Sequence, residues 1–120
     1  MKRCLLVILL VFSPYAVQAK HLHKEKWYQD RWCAGRGETE VVLPDHTRCD
    51  CLTPMNAVEV DFGGKWYQAV GQSLYYALQT GHRAGVVLIV ERPEDRKYWY
   101  KLNTLIEHFK LPIDSWMVEK

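Results

Sequence analysis

The chain of 120 residues reads as one α/β domain whose mixed sheet is covered by helices on both faces. Three features carry this reading. Helical and strand periodicities succeed one another in the order αβββαβαβ, which requires helix crossovers between the later strands. Pro44-Asp45-His46-Thr47 separates two short strand-like runs and supplies the turn chemistry of a hairpin, so the early strands pair antiparallel. Residues 85–90 (GVVLIV) are a continuous, mostly β-branched apolar run, typical of a strand buried on both faces. The length suits one domain, not two. Hydrophobic residues at 48% and charged residues at 25% argue against disorder.

Residues 21–34 read as a first helix, with Trp27, Tyr28, Arg31 and Trp32 as its stripe and Gly35 and Gly37 ending it. Residues 40–43 and 48–52 are the hairpin strands. Residues 57–62 (AVEVDF) alternate cleanly, with Val58, Val60 and Phe62 on one face and Glu59 and Asp61 on the other. Gly63-Gly64 opens a second helix over about 65–80, packed through Trp66, Val70, Leu74 and Ala77, with Gln68, Gln72 and Tyr76 as a second stripe and Gly81 as cap. The 85–90 strand follows. A third helix over 93–108 carries Tyr98, Leu102, Leu105 and Phe109 at helical spacing, and 113–118 reads as a last short strand.

The first 19 residues have the three parts of a secretory signal peptide: Lys2 and Arg3, the apolar run 5–12, and Val17-Gln18-Ala19 before an expected cut. The apolar run is too short to span a membrane, which takes about 20 residues. The reading implies an exported chain, periplasmic or secreted, with no stable membrane association after cleavage. Removal of Lys2 and Arg3 abolishes the formal +2 charge, leaving 14 basic against 14 acidic residues. Bulk charge then gives no drive toward nucleic acid. Three cysteines remain, Cys33, Cys49 and Cys51, and an oxidising compartment calls for one disulfide and one leftover thiol. Cys49 and Cys51 are two apart and are expected on one strand face, where a bridge is geometrically poor. Cys33 therefore pairs with Cys51 or Cys49, Cys51 being favoured, with a contribution of roughly 3 kcal/mol.

The chemistry concentrates in Asp50, Glu59 and Asp61, one on the second strand and two on the third. On neighbouring strands Asp50 and Glu59 can meet on one face. Paired carboxylates are hard oxygen ligands suited to Mg²⁺, which can polarise a phosphodiester and acidify a bound water. Lys20, His21, His23, Lys24 and Lys26 form a basic leader able to touch phosphates, although a frayed, solvated terminus is the expected default. Arg92, Arg96, Lys97 and Lys101 line the third helix in the same way. No histidine has zinc-ligand spacing to the cysteines.

Taken on these elements, residues 25–91 resemble the PD-(D/E)XK nuclease superfamily. Its restriction-endonuclease-like fold is a three-layer α/β/α core of αβββαβ, here with a C-terminal αβ extension. Asp50 matches the family's Asp on the second core strand. Glu59-Val60-Asp61 matches the Glu/Asp-x-Lys motif, with Asp61 where Lys is expected. Gln72 to Tyr76 looks like the Gln-x-x-x-Tyr element of one branch. The run through Asp50-Cys51-Leu52-Thr53 and Glu59 to Phe62 is also similar to that of small exported bacterial proteins. The resemblance implies a nuclease acting on nucleic acid, DNA ahead of RNA, with Mg²⁺ or Mn²⁺ held by Asp50 and Glu59. Lys65, four residues beyond Asp61, would replace the missing lysine, and Gln72 would position groups near the scissile phosphate. Three residues would support the site: Asp61, Tyr76 and Glu40, the last preferred over Glu38. The other expectation is a nuclease-like fold with a degenerate site, kept as a binding or interaction module.

Overall fold

The computed structural model describes residues 20–120; the expected signal segment, with Cys4, lies outside them. The elements are α1 (Glu25–Cys33), β1 (Glu38–Val42), β2 (Arg48–Leu52), β3 (Asn56–Phe62), α2 (Trp66–Thr80), β4 (Arg83–Val90), α3 (Arg96–Phe109) and β5 (Ile113–Glu119), with 3₁₀ turns at Gly63–Lys65 and Pro93–Asp95. The chain is thus α/β in the expected order. The five strands lie side by side in chain order. β1, β2 and β3 pair antiparallel, while β3, β4 and β5 pair parallel through the α2 and α3 crossovers. Among the described residues no helix is long and apolar enough to cross a membrane.

Each face of the sheet has its own core. Tyr28 and Trp32 of α1 pack on Val58, Val60, Val87 and Ile89, joined by Phe62, Trp116 and Val118. On the opposite face α2 and α3 cover Ala84, Val86, Leu88 and Ile113 through Ala69, Val70, Leu74, Ala77, Leu102 and Ile106. β4 is buried from Ala84 to Val90 because both layers press on it. That explains why its sequence shows no polar alternation. Gly81 ends α2 in the left-handed region, at φ 70°. Gly63 is required by close packing: a Cβ there would stand 2.9 Å from Tyr98 Cδ2.

Two expectations are corrected. α1 begins at Glu25 instead of residue 21, because residues 20–23 are held away from helical geometry by bonds to the end of β4. Cys49 and Cys51 do not share a face. Cys51 packs beside Cys33, Tyr28 and Val58, whereas Cys49 packs with Leu43, Ala57 and Tyr76. The reason is a local break in strand alternation. Glu40, opposite this point on β1, has φ 54°, and the β2–β3 ladder stops after Cys51–Val58. The Cys33–Cys51 disulfide is formed, with Cα atoms 5.8 Å apart, and ties α1 to the middle strand of the hairpin half. Cys49 is the leftover thiol; burial pushes it up to about 11, so it stays a neutral S–H.

Candidate functional site

The site is built where the sheet is interrupted. Between the Thr39–Cys51 and Val41–Cys49 pairs of β1 and β2 stand Glu40 and Asp50. Continuing the Cys51–Val58 register would set Asp50 against Glu59. Two carboxylates cannot replace a ladder hydrogen bond by facing each other. Instead Asp50 Oδ2 accepts the Val60 N–H at 2.8 Å, so a side chain stands in for the missing strand partner. Glu40, Asp50 and Glu59 thus form an acidic row across three strands. Asp61 follows two residues along β3 on the face of Glu59.

Sequence alternation places Glu59 and Asp61 on a polar face, and a polar strand face is ordinarily solvated. The structure buries them: they are 5% and 3% exposed. α2 supplies the cover, with Ser73 and Tyr76 turned inward. Asp50, Asp61 and Tyr76 stand close enough to the Glu59 carboxyl for each to change the other's hold on its proton. Burial is the largest cause raising Glu59 above the usual carboxylate range, followed by the charges of Asp50 and Asp61. Asp50 and Asp61 are also raised, again chiefly by burial. The Val60 N–H opposes the rise at Asp50, and Lys65 opposes it at Asp61. Burial and Glu59 together keep the Tyr76 phenol protonated.

Glu59 Oε2 and Asp61 Oδ2 are buried with no hydrogen-bond donor among the described residues. Fully ionised, the cluster would leave both oxygens orphaned beside like charges. A proton shared between neighbouring carboxyls, or a cation, removes both penalties. Among the described residues no three His, Cys, Asp or Glu side chains stand as a ready ligand cage. The donor chemistry nevertheless fits a hard divalent ion: the inner oxygens are all carboxylate, two are unpartnered, and neither Cys49 nor any histidine joins them.

The remaining expected residues sit around this centre. Glu40 is half-buried and accepts from Gln29 Nε2 at 3.0 Å. Lys65 closes the 3₁₀ turn that begins at Gly63. Its ammonium lies 3.9 Å from Glu25 and is mostly exposed. Gln72, one turn before Tyr76, is exposed on α2. Two contributors come from α1 and are absent from the sequence reading. Glu25 adds its charge to both Asp50 and Asp61, and Gln29, 3% exposed, orients Glu40. Their only sequence signal is fourfold spacing, Glu25–Gln29–Cys33, a polar stripe running into the disulfide.

A second buried carboxylate marks the end of β4. Glu91, 6% exposed, accepts from Tyr28 Oη at 2.6 Å and from the Leu22 N–H at 2.9 Å, and His21 Nδ1 lies 2.6 Å away. Those bonds hold Glu91 below the usual carboxylate range even though burial pushes it upward. No family model matches the chain, and neither a curated protein nor a solved structure matches it significantly.

Proposed function

We propose that this protein is an exported, metal-dependent nuclease of the PD-(D/E)XK type, with a restriction-endonuclease-like core, hydrolysing phosphodiester bonds in DNA or RNA. The observation that carries the reading is the buried Asp50–Glu59–Asp61 cluster, with two orphaned oxygens, at the break between β2 and β3. The antiparallel β1–β2–β3 meander, followed by a helix and a parallel fourth strand, supports the finer fold.

Asp50 and Glu59 would hold Mg²⁺ or Mn²⁺, with Asp61 and Glu40 in support. The ion would polarise the scissile phosphate and acidify the attacking water. Asp50 is fixed for this by the Val60 N–H, and Glu59 is enclosed beneath α2 on the face where Tyr76 is buried. Asp61 Oδ2 is free to accept a proton-bearing neighbour. Lys65 would orient water and offset charge at the phosphate, help commonly worth about a hundredfold in rate. Its flexible stem can leave Glu25 once an anion arrives. Gln72, at the exposed flank of α2, would touch substrate from the rim.

A second reading keeps the fold as a binding or interaction module. It is favoured by the resting place of Lys65, whose ammonium faces Glu25 at 3.9 Å and is mostly exposed. The test is incubation of the purified protein with plasmid and single-stranded DNA, with and without Mg²⁺ or Mn²⁺. The nuclease reading expects metal-dependent cleavage that Glu59→Ala abolishes and Lys65→Ala lowers about a hundredfold. Cleavage untouched by Glu59→Ala removes the site. No metal-dependent cleavage of DNA or RNA favours the binding module.

A further inference from the structure

The basic leader is an ordered part of the fold. Arg92 Nη2 donates to the Lys20 carbonyl at 3.0 Å, and Glu91 binds the next two residues through His21 Nδ1 and the Leu22 N–H. The His21 ring stacks on Phe62 at 3.6 Å, and the His23 ring stacks on Trp27 at 3.7 Å. A buried, fully bonded carboxylate is a costly anchor for an exposed segment, and solvation alone would not select it. The anchored segment walls an open concavity of about 370 Å³ lined by Lys20, His21, His23, Lys24, Glu25 and Phe62.

Glu25 joins this concavity to the carboxylate cluster. It lines the concavity, its charge acts on Asp50 and Asp61, and it faces the Lys65 ammonium at 3.9 Å. Phe62 ends the strand that carries Glu59 and Asp61 but faces α1, on the other side of the sheet from those acids, so the concavity meets the site around the end of β3 and through Glu25. Lys20 and Lys24 outnumber Glu25, whose charge Lys65 balances. The arrangement therefore favours an anion, with an aromatic floor of His21 stacked on Phe62.

We infer that the concavity under the anchored leader is a subsite for a backbone phosphate of single-stranded nucleic acid, held by Lys20 and Lys24, one step from the bond that the carboxylate site would cut. The assignment rests on the nuclease reading only for its relation to the scissile bond. Glu91 is a positioning residue: it holds the leader in place and touches no ligand.

The test is fluorescence anisotropy of a labelled 12-nucleotide single strand with the purified protein in EDTA, over a salt series, so that binding is read without cleavage. Each lost phosphate contact flattens the dependence of log K on log salt by about 0.7, roughly a fivefold weakening at 0.1 M salt. Lys20→Ala and Lys24→Ala should each show that change. Lys110→Gln, at the exposed C-terminal end of α3 and outside both basic groups, should show none. Glu91→Gln should weaken binding as much as the double lysine variant while a far-ultraviolet spectrum stays native. Because Lys20 and Lys24 are exposed, their variants keep the test valid even if Glu91→Gln unfolds the chain. Wild-type binding with an unchanged salt slope in the double lysine variant overturns the inference, as does no binding by the wild type. A protein that binds through both lysines but never cleaves with Mg²⁺ overturns the nuclease reading and leaves the subsite standing.

Discussion

Between β3 and β4 seven successive residues pair without a break, from Asn56 with Arg83 to Phe62 with Ile89, whereas between β2 and β3 only Cys51–Val58 and Leu52–Ala57 pair. The parallel half is filled with Val86, Val87, Leu88 and Ile89, all 1% exposed or less. The antiparallel half carries Asp50, a positive-φ Glu40, a disulfide and the buried acids. Both halves share β3, whose Val58 and Val60 face α1 while Glu59 and Asp61 face α2. One half is held by continuous apolar burial. The other spends hydrogen bonds and burial on holding like charges together, which is what a site needs and a core avoids.

The comparison breaks most directly in the parallel half. Leu88→Ala should cost about 2–5 kcal/mol in urea unfolding, since Leu88 is fully enclosed by two helices and the sheet. A loss below 1 kcal/mol would mean that β4 is not the stabilising centre. In the antiparallel half the disulfide is the main tie, across a sequence separation of 18. Replacing Cys33 and Cys51 by serine should cost roughly 3 kcal/mol, by urea unfolding against the oxidised parent.

The acids predict a smaller effect with a definite sign. Asp50, Glu59 and Asp61 are raised in the folded state, so the folded chain holds more protons than the unfolded one once pH exceeds about 4. Stability contributed by the protonated cluster is therefore lost as pH rises toward the raised folded values. Between pH 5 and 6 the metal-free protein should lose on the order of 1–2 kcal/mol, about 1.4 kcal/mol for each extra proton the fold holds, and Glu59→Gln should flatten that decline. A melting temperature that rises over this range in EDTA would contradict the burial of charge. The smallest change is expected outside both halves. Lys26→Ala removes an exposed pair with Asp30 at 3.0 Å on α1 and should shift stability by no more than about 0.5 kcal/mol.

The same contrast explains what could be read from the sequence. β4 was legible because burial on both faces writes itself as an unbroken apolar run. β2, α2 and β5 were legible from turn residues and periodicity, and the Cys33–Cys51 bond from the count of three cysteines, two of them too near in sequence to bridge readily. The Asp50–Glu59–Asp61 grouping was legible because strand neighbours sit at predictable registers. The break at Glu40 and Asp50 was not, since no single-strand periodicity reports which backbone N–H a side chain will take over. That omission put Cys49 and Cys51 on one face. Glu25 and Gln29 were missed because a polar stripe on a short helix normally meets water. The leader was read as frayed because its anchor, Glu91, lies about 70 residues away.

A titration with Mn²⁺ at pH 7, followed by calorimetry in two buffers of different ionisation heat, tests the central claim that the carboxyl cluster is a divalent-cation site. A cluster that stores protons must give them up to the ion. The account predicts saturable binding with proton release in the wild type, and loss of both in the Asp50→Asn, Glu59→Gln double variant. No binding, or binding that the double variant retains with the same proton release, would contradict it.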